Sequence, residues 1–172
     1  MMTDFRQRAG VGLKSLLPGF LLLLFVFMGA APLRLPWIEN AAPPLVIIGV
    51  YYWAIFQPDL MPGWGVFLIG LLQDLLIGLP PGLSSAVLVL IRWIACSHRR
   101  FVAGQSFLVL WTGFVIMALL AAVLEWALFC LLEWRLAALL PVALRFLMAI
   151  MVFPPLVLWG LHPIGRVLSA GE

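Results

Sequence analysis

Charge is scarce in this chain. Asp, Glu, Lys and Arg make up 10% of the residues, against 65% that are hydrophobic. A soluble domain needs a polar exterior that this composition cannot supply, so the expected outer solvent is lipid. The ten Lys and Arg residues never gather into a basic patch with interleaved aromatics, which removes nucleic acid from the expected partners. Cysteine and histidine are each down to two. Cys96 and Cys130 fall at opposite ends of their hydrophobic segments, whereas a disulfide needs Cα atoms within about 7 Å; free thiols are expected. His98 and His162 are too few to hold a metal. A Gly-rich phosphate loop and an H-E-x-x-H motif are both missing. Ser84 and Ser85, in "GLSS", have an outline similar to an intramembrane serine nucleophile. Both histidines are expected on the other side of the membrane, so the base is lacking. Helix capping or packing is the expected role of these serines. No enzyme and no cofactor is expected.

Long apolar runs are what the chain does have. A helix needs about 20 apolar residues to cross a hydrocarbon core roughly 30 Å thick. Six segments qualify or nearly so: 16–31, 44–56, 64–79, 83–96, 107–132 and 138–161. The second and fourth are short and need flanking residues or a thinned bilayer. The connections are short as well, so residues 1–172 read as one integral membrane domain. The expected architecture is all-α, a polytopic bundle of about six transmembrane helices, with four or five as the alternative that the two short segments leave open.

Basic residues orient that bundle. With six spans, Arg6, Arg8, Lys14, Arg99, Arg100 and Arg166 share one side and only Arg34 and Arg135 the other. Positive residues concentrate on the cytoplasmic side, which places both termini there. Trp37, Trp126 and Trp134 then fall near the outer boundary and Trp64 near the inner one, as interfacial belts do. The connection "QPDLMPG", 57–63, carries no basic residue although it is assigned inside. The first segment has the basic start and small-residue "GAA" ending of a signal peptide. Pro32 follows directly and disfavours cleavage, so a retained span is expected.

One segment breaks the apolar rule. In "GLLQDLLIGLPPG", 70–82, Gln73 and Asp74 interrupt a leucine run that ends on two prolines between glycines. Asp74 precedes Pro80 by about 9 Å of helix, which puts it inside the hydrocarbon. A carboxylate at mid-membrane costs about 2.5 to 3.5 kcal/mol, and a partner or a wet cavity offsets that. Gly70 and Gly78 lie eight residues apart, with Asp74 halfway, as a small-residue stripe suited to close helix approach. Proline lacks a donor and restricts the residue before it, so "LPPG" ends the helix and Gly82 turns the chain. Arg145, at matched depth on the sixth segment, is the expected ion-pair partner of Asp74. Glu125 competes for that arginine, or sits at the interface beside Trp126, the preferred placement. Arg92 is expected to snorkel toward the inner side.

The stretch "QPDLMPGWGVFLIGLLQDLLIGLPPG", followed by "SHRRF", resembles the rod shape-determining MreD family. The matching positions are Pro58 and Asp59, then Gly70, Leu71, Leu72, Asp74, Leu75, Leu76, Gly78, Pro80 and Gly82. Pro81 stands where the family often has leucine. The resemblance implies a non-enzymatic component of the bacterial inner membrane, acting in peptidoglycan elongation. Its implied partners are MreC first, then RodA, a class B penicillin-binding transpeptidase and the actin-like MreB, in a setting of membrane lipid. The family is also similar in architecture to the small-molecule-binding subunits of energy-coupling-factor transporters. That similarity implies an alternative, a ligand-binding membrane subunit.

Overall fold

The computed structural model describes residues 18–29, 44–102, 104–134 and 138–161. They form six α-helices: α1 (Pro18–Gly29), α2 (Leu45–Phe56), α3 (Gly63–Ile77), α4 (Leu83–Val102), α5 (Phe107–Glu133) and α6 (Leu139–Pro155). No strand occurs among the described residues. The fold is all-α, and each expected apolar segment coincides with one helix. Two helical stretches, Phe107–Glu133 and Leu139–Leu158, are long and apolar enough to cross a membrane.

Helix α2 lies inside the bundle. Every residue from Leu45 to Ile55 is buried. This helix is the centre of the bundle, covered on all sides by the other helices. At Gly49 a Cβ would come within 2.5 Å of the Leu22 side chain and 3.2 Å of Phe25, so α1 lies directly on its backbone. On another face Tyr51 meets α5 and α6. Its ring stands edge-on to Phe114 at 5.5 Å and to Phe153 at 6.1 Å. Phe114 and Phe153 stack at 4.1 Å, a geometry that aromatic pairs favour when offset. The Tyr51 hydroxyl donates to the Leu110 carbonyl at 3.2 Å, so the polar tip of this buried ring has an acceptor.

One helix runs past its expected end, and another reaches its expected end with a change of winding. The fourth helix does not stop at Cys96 but continues to Val102, with Arg99 and Arg100 in its last turn. Cations there face the negative end of the helix dipole and stabilise it. The sixth helix contains Pro154 and Pro155, and the backbone widens into a π-helical turn over Leu156–Leu161. Each proline removes a donor, which frees the carbonyls four residues earlier and breaks the regular ladder.

Candidate functional site

Asp74 is fully buried, and its partner is main chain. One carboxylate oxygen accepts from the N–H of Gly82 at 2.9 Å. Both oxygens accept from the N–H of Ser84, at 3.0 and 3.1 Å. These are orphan donors at the start of α4, where the first four N–H groups of a helix have no partner within it. The acid of one helix therefore caps the next helix across the turn. Charged acceptors on a helix N-terminus gain from its positive end as well as from the hydrogen bonds.

The turn is built to allow this. Gly78 adopts φ +77° and Gly82 φ +101°, left-handed conformations that cost a side-chain-bearing residue steric energy. The N–H groups of Gly78 and Leu79 both return to the Asp74 carbonyl, at 2.9 and 3.0 Å. Asp74 thus ends α3 with its main chain and starts α4 with its side chain. Leu83 closes the turn by donating to the Pro80 carbonyl at 3.2 Å.

The expected glycine stripe divides into two roles. Gly70 is the close-approach residue: a Cβ there would sit 2.5 Å from the Ser85 Cα and 2.8 Å from its nitrogen. Gly78 is no packing residue, because nothing lies within 4 Å of its Cβ direction. It serves the positive φ instead. Of the two roles expected of the serines, packing holds for Ser85, which lies against Gly70, and neither hydroxyl caps α4. Ser85 Oγ donates back to the Gly82 carbonyl at 3.0 Å, and Ser84 Oγ is buried without a partner. The Gln73 side-chain oxygen is buried and unpartnered too.

Asp74 and Arg145 form no ion pair. Matched depth is a weak criterion where main-chain donors lie closer, and the turn supplies such donors. Arg145 instead lies within electrostatic reach of Glu125, which also feels Asp74 as a like charge. No hydrogen bond or ion pair joins Glu125 to Arg145, and both are half-buried.

At the other end of the α3–α4 hairpin, Arg92 turns to the 57–63 connection. Its Nε donates to the Met61 carbonyl at 2.7 Å and an Nη to the Pro58 carbonyl at 3.4 Å. The connection that lacked a basic residue receives one from α4. Asp59 is exposed within the short 3-10 turn Pro58–Leu60. Cys96 and Cys130 are not joined in a disulfide, and Cys96 Sγ donates to the Ala54 carbonyl at 3.5 Å. Arg34, Trp37, Arg135, His162 and Arg166 lie outside the described residues.

These parts define a class: a helical bundle with a central buried helix and a helical hairpin locked at both ends by side chain–main chain bonds. No protein-family model matches the chain, and neither a curated protein nor a solved structure does.

Proposed function

We propose that this chain is a multi-pass protein of the bacterial inner membrane, with both termini cytoplasmic. In this reading it belongs to the MreD family and acts as a non-enzymatic scaffold in the cell-wall elongation complex. It engages MreC, with RodA, a class B penicillin-binding transpeptidase and MreB as further partners. The observation that carries the reading is the α3–α4 hairpin. The residues that resemble the family motif are scattered over 25 positions of sequence, from Pro58 to Gly82. The fold gives nearly all of the polar and conformational ones one structural task each. Asp74 caps, Gly78 and Gly82 take positive φ, Gly70 admits α4, and Pro58 offers its carbonyl to Arg92. Such a hairpin holds its shape before any partner arrives, and preorganisation lowers the entropy cost of association.

Support for the membrane setting comes from the outward faces. Ile116, Leu119 and Val123 on α5 and Leu144, Leu147 and Met151 on α6 are exposed at helical spacing. In water such faces would aggregate; in lipid they are the normal exterior.

The test is depletion of the chain in its rod-shaped host, together with co-purification against MreC. Rounded cells, dispersed wall synthesis and co-elution with MreC are the expected results. Normal shape and normal wall synthesis after full depletion, with no paralogue present, would refute the scaffold reading. Co-purification with a transporter ATPase pair would favour the ligand-binding subunit instead.

A further inference from the structure

The outward face of α4 changes character along its length. Ala86, Leu90, Trp93, Ser97 and Arg100 are all exposed, and helical geometry places them within about 80° of one another. The stripe passes from apolar side chains through tryptophan to a hydroxyl and a guanidinium. Trp93 is 68% exposed on α4, and Trp64 is 70% exposed at the start of α3. The two tryptophans share a level. Nη1 of Arg92 lies 3.7 Å from where a Cβ on Gly63 would sit, and each tryptophan directly follows one of these two residues. From Trp64 the outer side of α3 continues apolar, with Phe67 and Leu68 exposed. Tryptophan concentrates at the boundary between acyl chains and headgroups, so both helices mark that boundary at the same end of the hairpin.

Past the boundary α4 continues to Val102, about 13 Å beyond Trp93. This tail carries Arg99 and Arg100 in its last turn, and α4 holds no Asp or Glu. Arg92 adds a third guanidinium at the boundary itself. Its bonds go to the carbonyls of Met61 and Pro58, which are neutral and leave its charge uncancelled. Asp59 is the one acid among the described residues at this end. Three guanidinium groups against one carboxylate leave a formal charge of +2. Phe101 is 69% exposed beside the arginines. A large exposed aromatic interleaved with arginine is the composition of a helix face that lies on a lipid surface.

We propose that the tail of α4 and the start of α3 form a surface for anionic phospholipid in the leaflet at this end, the inner one in the six-crossing topology. Trp64 and Trp93 sit at the acyl boundary, Arg99 and Arg100 draw headgroup phosphates, and Phe101 reaches back among the acyl chains. The proposal rests on the membrane reading above. Charge selects the lipid: each arginine near an anionic surface is worth about fivefold in affinity. A zwitterionic headgroup gains little, because its ammonium meets the same arginines. The stripe favours a bilayer over an acidic protein face, since Arg100 continues a line of residues, Ala86, Leu90 and Trp93, whose chemistry follows the depth of a membrane.

The experiment uses the full chain, purified in detergent, immobilised and titrated with radiolabelled phosphatidylglycerol or phosphatidylcholine. Wild type is expected to retain phosphatidylglycerol more tightly, and to lose that preference as salt rises and screens the arginines. Arg99→Gln combined with Arg100→Gln should weaken phosphatidylglycerol roughly 20- to 30-fold, two arginines at about fivefold each, and leave phosphatidylcholine unchanged. Arg99→Lys with Arg100→Lys should keep most of the affinity, because the attraction is to charge. Equal retention of the two lipids by wild type, which needs no variant to fold, overturns the proposal. So does phosphatidylglycerol binding that survives the double Gln substitution; if that variant also lost co-elution with MreC, the patch would belong to a protein partner. Soluble glycerophosphoglycerol competing as well as the lipid would overturn the bilayer assignment. A chain recovered without detergent in the soluble fraction would instead refute the membrane reading, and the scaffold reading stands or falls separately by cell shape.

Discussion

Asp74 is the residue at which sequence reasoning came closest and still missed its target. Its burial and its place on a packing face were legible, because an acid in a leucine run is costly unless protein covers it. Its partner was not. A main-chain N–H has no signature in sequence, so a search for partners by charge and depth finds only side chains such as Arg145. The same limit applied to Ser84 and Ser85, whose position after a turn resembles a cap although the cap comes from another helix. Three outcomes follow from the geometry. Asp74→Ala should lower stability by about 1.5 to 3 kcal/mol, the range for hydrogen bonds to a charged group. Asp74→Asn should lower it by less, because an amide oxygen still accepts. Adding Arg145→Leu to Asp74→Ala should recover none of the loss, since no ion pair joins the two side chains. Thermal unfolding in detergent measures all three, and recovery in the double variant would restore the ion-pair assignment.

At the scale of the element, the α3–α4 hairpin is fastened twice. One fastening is the Asp74 cap. The other is Arg92, whose bonds to the Met61 and Pro58 carbonyls fix the entry into α3. The sequence placed Arg92 toward the inner side, and the structure adds what it holds there. Arg92→Leu should loosen the 57–63 connection and raise protease sensitivity within it. Arg92→Lys should recover only part, because an ammonium lacks the planar fork of a guanidinium. Equal protection in wild type and Arg92→Leu would show that the two bonds hold nothing. Between the fastenings the helices touch at Gly70. Gly70→Ala drives a methyl into the Ser85 main chain, and overpacking of this kind costs about 1 to 3 kcal/mol. Gly78→Ala meets no neighbour and suffers only the positive φ. A Gly70→Ala loss smaller than that of Gly78→Ala, measured in the same unfolding assay, would contradict the close approach.

At the scale of the molecule, hydropathy located the helices but not their layers. The segments 44–56 and 83–96 looked alike, both short. One proved to be the buried centre and the other the core of a longer helix. Hydropathy cannot separate a helix surrounded by protein from one surrounded by lipid, because both surroundings are apolar. Charge does retain information at this scale, and it yields the last prediction. In the proposed six-crossing topology the 57–63 connection is cytoplasmic, and Arg92 adds a cation to this segment, which has none of its own. Positive residues on that side are what the orientation rule requires. Single cysteines at Asn40 and at Asp59, in a chain otherwise free of cysteine, should therefore react from opposite faces. A membrane-impermeant maleimide applied to intact spheroplasts should label the Asn40 variant and spare the Asp59 variant until the membrane is opened. Asp59 is exposed in its turn, so protection there would reflect the membrane rather than burial. Labelling of both from outside would exclude the arrangement of six crossings with cytoplasmic termini.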